Sequence, residues 1–458
     1  MITLDVPSMM YESLQAHYGR LVSVSLPCPG ITPEQFLQEA GARERFYWQS
    51  HQDETTLAGI GAALEITGYG PDRFHTIQSR VLELFAEAAM LTKAPAWAGP
   101  RLFGGFAFNE NFMPDYAWAG YAPAHFVLPH YQYTRHEDKA WMTINAHIPY
   151  GEAPGEMRND LESALREQIT FMQSIARRPA PPLSLQEMRY PMSATQWRDM
   201  IEAALAKIQA GEIKKVVLAR VCELLFHEPV DPAYLLEALG QSYPQTYRFL
   251  FEPRPHHAFY GATPELLVSV NGRQLHTMAL AGSAKRGRDK AEDHVIAEAE
   301  LLNNPKNRFE HDLVIQGILK RLQPLTTTLT MSETGLLKLN NIQHLHTAVS
   351  AIMRKPEGVL SVAAILHPTP ALGGEPTDVA TRFIVEQEPV PRGWYAAPVG
   401  WVDANGDGQF AVAIRSAVAQ ERRVWLYAGA GIVAGSDPQS EWDETALKFR
   451  PMLQALGI

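Results

Sequence analysis

Two acidic segments of the chain carry carboxylates that could hold a metal ion. Glu310 lies in Asn307-Arg-Phe-Glu-His-Asp, and Glu441 and Glu444 lie in Glu-Trp-Asp-Glu-Thr. A separation of three residues places Glu441 and Glu444 on one face of a helix. Carboxylates from two helices, with waters completing the coordination, suit Mg²⁺. The sequence therefore indicates a possible magnesium site, although acidic helix faces are more often simply solvated.

Lys215 and Glu265 each lie at the start of a predicted strand, where they could act as a base and an acid. Lys215 follows Lys214 and opens the apolar segment 215–225, a predicted strand. Because side chains alternate along a strand, one of the two lysines should point inward. Burial disfavours the charged form of a lysine, so an inward lysine could act as a base. Glu265 follows Pro264 at the start of another predicted strand, where it is either an acid or an ordinary strand-end carboxylate.

Arg415 lies within the apolar segment 410–417, which we predict to be a strand. A charged group in such a segment is usually paired when it is buried. The guanidinium could hold a ligand carboxylate in a bidentate contact. A structural ion pair is an equally good interpretation.

Two further motifs resemble known sites but lack their context. Segment 403–408 matches the start of a calcium-binding loop, but Ile414 occupies the twelfth position, where glutamate is needed. A hairpin turn is the better interpretation. Segment 429–434 resembles a dinucleotide fingerprint, but no strand–helix unit follows it. Its glycines still permit close backbone approach, and consecutive N–H groups can hold a carboxylate.

The composition of the 458-residue chain excludes several classes of protein. Apolar residues make up 46% and charged residues 20%, which is typical of a globular protein. The net charge of −10 disfavours a nucleic-acid partner. No apolar segment approaches the roughly 20 residues of a membrane span, and Met1–Asp5 does not resemble a signal peptide. With two cysteines, the chain is expected to be cytoplasmic.

The predicted elements favour an antiparallel α+β fold. Ser193 and Gln196 form a capping box that predicts a helix start. Asn271-Gly272 separates two predicted strands, 260–270 and 274–281, and is a strong hairpin signal. Hairpins outnumber strand–helix–strand units along the chain, which argues against a parallel doubly wound sheet. The Pro-rich segment 177–182 is either a domain boundary or an exposed loop.

Ordered motifs between about residues 195 and 455 resemble the chorismate-utilising enzymes, which include isochorismate, salicylate, anthranilate and aminodeoxychorismate synthases. The resemblance implies one large α+β fold of two stacked, mostly antiparallel β-sheets flanked by helices. It makes residues 1–180 a variable part of that fold and residues 190–458 the chorismate-binding catalytic region. The motifs are Lys215-Val-Val-Leu-Ala-Arg220, Gly261-Ala-Thr-Pro-Glu-Leu266, Leu280-Ala-Gly-Ser283, Glu310-His311, Gln343-His-Leu345, His367-Pro-Thr-Pro370, Arg392-Gly-Trp-Tyr395, Gly429-Ala-Gly-Ile432 and Glu441-Trp-Asp-Glu-Thr445.

The resemblance also implies roles at matching positions. Lys215 matches the base that activates water, and Glu265 matches the acid that protonates the departing hydroxyl. Glu310 and Glu444 match Mg²⁺ ligands, and Glu441 matches the residue that holds a water bound to the metal. The remaining matches contact chorismate: Gly282 and Ser283 at the ring carboxylate; Tyr395, Arg415, Gly429 and Lys448 at the enolpyruvyl carboxylate; and His344 facing the ligand.

Within this family the pattern is most similar to the isochorismate synthases, whose members serve menaquinone and siderophore pathways. Ala281 stands where aminodeoxychorismate synthases carry a nucleophilic lysine. Segment 311–317 lacks the Arg-Asn-Asp element of anthranilate synthases, so no glutaminase partner is expected. Salicylate synthase remains the alternative, because it shares nearly all of these residues. Asn307 replaces an acid found in many relatives, which puts the metal affinity in doubt.

Overall fold

The computed structural model describes residues 19–52, 55–149 and 151–458, and Met1–Asp5, where no signal peptide is predicted, lies outside them. The strands are β1 (Arg20–Pro27), β2 (Arg45–Gln49), β3 (Thr55–Gly68), β4 (Ala89–Met90), β5 (Arg101–Phe106), β6 (Ala124–His136), β7 (Lys139–Ile148), β8 (Leu185–Arg189), β9 (Lys215–Phe226), β10 (Tyr247–Arg254), β11 (His257–Thr263), β12 (Leu266–Asn271), β13 (Gln274–Lys285), β14 (Thr326–Met331), β15 (Gly335–Lys338), β16 (Ile342–Met353), β17 (Gly374–Glu375), β18 (Pro398–Asp403), β19 (Gly408–Val412), β20 (Ser416–Gln420) and β21 (Arg423–Ile432). The helices are α1 (Pro33–Gln38), α2 (Arg73–Ala86), α3 (Arg158–Ser174), α4 (Ala194–Gln209), α5 (Pro232–Ser242), α6 (Lys290–Ile296), α7 (Pro305–Leu322), α8 (Val359–Leu366), α9 (Thr377–Gln387) and α10 (Pro438–Ala455).

The strands form one hydrogen-bonded ladder that divides into two arms at β6. The first arm runs β4–β1–β7–β6–β3–β2–β10–β11–β20–β21–β9. The second leaves the amino end of β6 and runs β5–β18–β19–β12–β13–β16. Short strands β8 and β17 flank β9, and β14 and β15 flank β16. Only β1 and β4 pair in parallel among the described strands.

The two arms stack face to face around an aromatic core. Phe46 of β2 stacks on Phe103 of β5 with ring centroids 6.0 Å apart. Trp48 of β2 donates a hydrogen bond to Gln409 of β19 across the same interface, at 3.2 Å. Burying these faces against each other removes a large apolar area from water, which stabilises the fold. The predicted α+β fold of two stacked, mostly antiparallel sheets is confirmed.

Helices cover the outer faces of both arms. Helices α1, α3, α5 and α10 share a second apolar core with the first arm. Helices α7 and α8 pack against the second arm, and α2 packs against α8 and β3. Strand β2 pairs with β10 and β5 with β18, so both arms combine strands from before and after the Pro-rich segment 177–182. The assignment of residues 190–458 as the catalytic region stays a prediction.

Local signals were accurate at turns and helix caps but not along every strand. The capping box at Ser193 and the hairpin at Asn271-Gly272 are both present. The predicted strand 410–417 is wrong, because β19 ends at Val412 and Arg415 adopts a left-handed φ of +49° before β20 begins. That conformation is sparsely populated for a side chain of this size, and apolar patterning does not report it. The predicted strand 260–270 likewise divides, at Pro264-Glu265.

No helix in the described part of the chain is long and apolar enough to cross a membrane.

Candidate active site

Most of the predicted site residues surround one cavity of about 60 Å³. Ten of the twelve line it directly. They come from β13, β16 and β21, from the segments just before β12, β18 and β20, and from helices α7 and α10. Lys215 lies behind Glu310, and Glu441 points away toward Lys306. The ten lining residues are Glu265, Gly282, Ser283, Glu310, His344, Tyr395, Arg415, Gly429, Glu444 and Lys448.

Lys215 is the inward-pointing member of the lysine pair. Its side chain is fully buried, whereas Lys214 is exposed. The Lys215 Nζ lies 2.9 Å from Oε1 of Glu310 but lacks hydrogen-bond geometry to it. The backbone of Lys215 pairs with Glu375 of β17, which fixes this end of β9. The structure therefore excludes the interpretation of two solvated lysines.

Gly431 makes room for this ion pair. It lies on β21 opposite Val217 of β9. A Cβ atom at position 431 would stand 2.3 Å from Glu310 Oε1 and 3.2 Å from Lys215 Cε. Only glycine therefore leaves both side chains in place. Gly431 belongs to segment 429–434, whose glycines were predicted to permit close approach, but the sequence did not reveal which side chains approach it.

Gly431→Ala should lower the free energy of unfolding by about 2 kcal/mol, because the added methyl overlaps a buried charged pair. Urea denaturation measures the change. Gly155→Ala is the matched control, since a Cβ there meets nothing within 4 Å and the change should stay within about 0.5 kcal/mol. Equal stability of the two variants would contradict the assigned role of Gly431.

Glu265 is placed for proton donation. It lies at the break between β11 and β12, and its backbone carbonyl accepts a hydrogen bond from Val412 N–H at 3.0 Å. Burial raises the pKa of its carboxyl to about 8, against the opposing effect of nearby cations including Lys215 and Lys448. A carboxyl with this pKa carries its proton at neutral pH. Glu265 can therefore act as an acid under ordinary conditions.

His344 lies between two groups of residues predicted to bind substrate, with Arg415 on one side and Gly282 and Ser283 on the other. Burial lowers its pKa well below the usual value, so the ring is neutral. Its Nε2 accepts a hydrogen bond from Nη2 of Arg415 at 3.1 Å, because arginine can only donate. The proton must then reside on Nδ1, which lies 3.2 Å from the Gly282 carbonyl and 3.1 Å from Ser283 Oγ. This assigns the tautomer and orients Arg415.

Gly282 owes its place to a β-bulge. The register between β13 and β16 shifts between Ala281 and Ser283, and Gly282 adopts a φ of +72°. Glycine reaches this region without steric cost. The bulge turns Ser283 toward the cavity beside His344.

Arg415 is a buried cation in the wall of the cavity. No carboxylate of the described residues pairs with it, and its Nη1 has no hydrogen-bond partner. The structure therefore does not contain the structural ion pair that the sequence left open. A buried guanidinium with an unused donor facing a cavity is suited to bind a carboxylate.

Lys448 already has two acceptors. Its Nζ donates to the Gly429 carbonyl at 2.8 Å and to Glu444 Oε1 at 2.5 Å. Tyr395 stacks on Tyr427 with ring centroids 5.2 Å apart and lines the wall beside Gly429. Lys448, Tyr395 and Gly429 thus lie together, as the resemblance implied.

The three predicted metal-ligating carboxylates are each paired with a lysine. Glu310 pairs with Lys215, Glu444 with Lys448, and Glu441 with Lys306 at 2.7 Å. Within the described residues, no three metal-capable side chains are gathered into a ready-made site. The donor set still suits Mg²⁺, since Glu310 and Glu444 face one cavity and Gly431 leaves space beside Glu310.

Lys306 is a site neighbour that the sequence analysis missed. It lies four residues before Glu310 on α7, a spacing that places both side chains on one helix face. Burial raises the pKa of Glu441, and the neighbouring Glu444 charge raises it further, while Lys306 opposes both effects. Its spacing of four residues from Glu310 was the sequence signal that could have placed Lys306 near the site.

Arg392 holds the walls of the cavity together. Its guanidinium donates to the carbonyls of Val217 at 2.6 Å and Leu372 at 2.9 Å, and both residues line the cavity. It also pairs with Glu388, whose carboxylate accepts a hydrogen bond from Ala219 N–H at 2.8 Å. The motif containing Arg392 was recognised, but this bracing role depends on tertiary contacts.

Comparisons with known proteins show the family to which the chain belongs. Isochorismate synthase MenF of Bacillus subtilis is 31% identical over 99% of this chain and 97% of its own length. The salicylate biosynthesis isochorismate synthase of Pseudomonas aeruginosa is 34% identical over 95% and 90%. The structure of MenF, the menaquinone-specific isochorismate synthase from Escherichia coli, superposes with a TM-score of 0.78 at 28% identity, covering 95% of this chain and 94% of that one. Residues 8–457 match the family described as chorismate binding enzyme, and the chain belongs to that family.

Proposed function

We propose that this protein is an isochorismate synthase, which converts chorismate reversibly to isochorismate. The observation that carries the proposal is a single cavity lined by the protonated Glu265 and by Arg415, whose Nη1 makes no hydrogen bond within the described residues. The buried Lys215 lies directly behind Glu310 of the same cavity. An acid, a base and an anion-binding group are what the reaction requires. The relatives described as isochorismate synthases support the same activity.

The reaction adds water at C2 of chorismate and removes the C4 hydroxyl. Hydroxide is a poor leaving group, so Glu265 donates a proton to it as it departs. Lys215 accepts a proton from the attacking water as the uncharged amine, so it must first leave its ion pair with Glu310 and give up its own proton. The C2 oxygen therefore comes from solvent, and no ammonia or glutaminase subunit is needed.

Chorismate is a dianion, and the cavity offers a separate group for each carboxylate. Arg415 has an unused guanidinium donor for the enolpyruvyl carboxylate, with Lys448 and Tyr395 beside it. Gly282 and Ser283 lie on the other side of His344, where the ring carboxylate would bind. Because His344 is neutral, it orients Arg415 without adding charge.

We further propose that Mg²⁺ is the cofactor. Glu310 and Glu444 would be direct ligands, and Glu441 would contact a coordinated water. Bound there, the ion would supply positive charge to neutralise the ring carboxylate. The free volume of about 60 Å³ is small because lysine–glutamate pairs occupy the site. Lys215 and Lys448 must therefore exchange these partners when substrate and metal bind.

Glu444→Ala should weaken Mg²⁺ binding at least tenfold, because it removes one of two proposed direct ligands. Isothermal titration of the protein with MgCl₂ measures this without relying on turnover. Asp443→Ala is the matched control, since Asp443 is the exposed neighbour and bonds only Gln439 among the contacts described. An unchanged Mg²⁺ titration for Glu444→Ala would remove this residue from the metal site.

Product identification tests the proposed activity directly. Purified protein is incubated with chorismate and MgCl₂, and products are separated by chromatography at timed intervals. Isochorismate alone, lost when a chelator is added, is the expected result. Enzyme-dependent salicylate and pyruvate would instead show the further elimination of a salicylate synthase. An unchanged product with ammonia present checks that water is the nucleophile.

Both cysteines, Cys28 and Cys222, are free and buried, which is compatible with the cytoplasmic location that we propose.

A further inference from the structure

A second, larger cavity lies outside the catalytic site. It has a volume of about 640 Å³ and is bounded by the start of α2, segment 108–111, the residues after α8, and α9. Phe74, Phe108 and Val385 supply apolar wall. This volume lies in the range of cavities that bind small molecules, and the catalytic cavity shares none of its lining residues.

Arg73 is a buried, unpaired cation in the wall of this second cavity. Its residue is only 5% exposed, and its Nε has no hydrogen-bond partner. Its Nη1 and Nη2 reach only the carbonyls of Gly70 and Ala107, each at 3.3 Å. No carboxylate of the described residues forms an ion pair with it. Arg415 in the catalytic cavity likewise has a guanidinium nitrogen that makes no hydrogen bond within the described residues.

A second polar group is also left without a partner here. The Thr381 hydroxyl is buried on α9 and makes no hydrogen bond within the described residues. Leaving a buried polar group unsatisfied is costly, so two such groups on one cavity indicate a ligand with acceptor atoms.

The surrounding charges narrow the class of ligand. Asp72 and Glu110 are exposed carboxylates on the same cavity, and they would repel a multiply charged anion. Asp378 also lines the cavity but is paired there with Arg382 at 3.6 Å. The apolar rings of Phe74 and Phe108 favour an apolar body. We propose that this cavity is a regulatory site for a small monocarboxylate with an apolar or aromatic body, held by Arg73 and Thr381.

The structure connects this cavity to the catalytic wall through segment 367–376. His367 and Pro368 line the second cavity, whereas Ala371 and Leu372 line the catalytic one. At the end of the segment, Glu375 pairs with Lys215, and α9 then returns to the second cavity with Thr381. A ligand that contacts both ends of this segment would restrict the wall against which chorismate binds.

Benzoate is the probe, and benzamide is its uncharged control. Titration calorimetry is done in the Arg415→Gln background, which removes the other unpaired arginine. Benzoate should bind there, and benzamide should bind at least tenfold more weakly. Arg73→Gln should weaken benzoate binding roughly tenfold or more, because a charge-assisted hydrogen bond is lost. Arg382→Gln is the matched control, since Arg382 lines the same cavity but is largely exposed.

Amide hydrogen exchange tests the connection. Benzoate should slow exchange in segment 367–376 in the Arg415→Gln protein but not in the Arg415→Gln/Arg73→Gln protein. If Arg73→Gln does not fold, Thr381→Val supplies the same comparison with an expected loss of several-fold. Benzoate binding that is unaffected by both variants, or that Arg382→Gln weakens as much, overturns the site. Unchanged exchange in 367–376 overturns the regulatory role. None of these readouts depends on isochorismate synthesis.

Discussion

Lys215→Ala should reduce the conversion of chorismate by roughly 10²- to 10⁴-fold, the usual contribution of a positioned general base. The Lys215 amine is fully buried at the start of β9, and Glu310 is its paired carboxylate. Among the described residues, Lys448 is the lysine that lines the cavity itself, and it already donates to Gly429 and Glu444. Alanine therefore leaves water without a base, while Arg415 and Lys448 remain to bind the substrate.

Two measurements distinguish the loss of the catalytic base in Lys215→Ala from the loss of chorismate binding. Turnover is followed by chromatography, and chorismate binding by calorimetry, with circular dichroism confirming the fold. Lys214→Ala is the matched control, because this exposed neighbour points away from the cavity and should keep wild-type turnover. Near-normal turnover by Lys215→Ala would end its assignment as the base.

Glu265→Gln should lower turnover to a similar extent, because glutamine keeps the shape of the side chain but cannot donate the required proton. Burial raises the pKa of Glu265 to about 8. The wild-type enzyme should therefore lose activity as the pH rises through about 8, when the carboxyl ionises. Rate measurements between pH 6 and pH 10 test this, with the variant expected to lack the descending limb. A wild-type rate that stays constant above pH 9 would contradict the role of Glu265 as the acid.

The same group makes a separate prediction for stability. Its folded pKa of about 8 lies above the ordinary value of 4.5, so the folded protein binds more protons between these pH values. Stability from this group is complete below about pH 4.5 and is lost as the pH rises through about 8. Glu265→Gln removes that loss, so the variant should be at least as stable as wild type at pH 8 by urea denaturation. A less stable variant would show that the carboxylate is needed for folding.

The sequence by itself determined the structural features that form between residues close together in the chain, such as helix caps and hairpin turns. Capping at Ser193 and the turn at Asn271-Gly272 are formed by contacts a few residues apart, so their patterns predict them. The preponderance of hairpins predicted an antiparallel fold for the same reason. The ordered motifs contain eight of the ten predicted residues that line the cavity, because each motif carries a backbone shape together with its side chains, whereas Arg415 and Lys448 lie outside them. The course of the two arms could not be predicted, since they depend on pairs such as β2 with β10 and β5 with β18, whose strands lie far apart in the chain.

The chemical state of the site was decided only by the tertiary structure. Alternation along β9 required one inward lysine, but the packing of β21 and α7 selected Lys215 over Lys214. The residue type of Glu265 did not reveal its raised pKa, which comes from burial. Arg415 could have been a structural partner or a ligand-binding group, and it forms no ion pair with a carboxylate of the described residues, which favours the second. Desolvation and pairing depend on residues distant in sequence, so they arise only when the sheets and helices pack together.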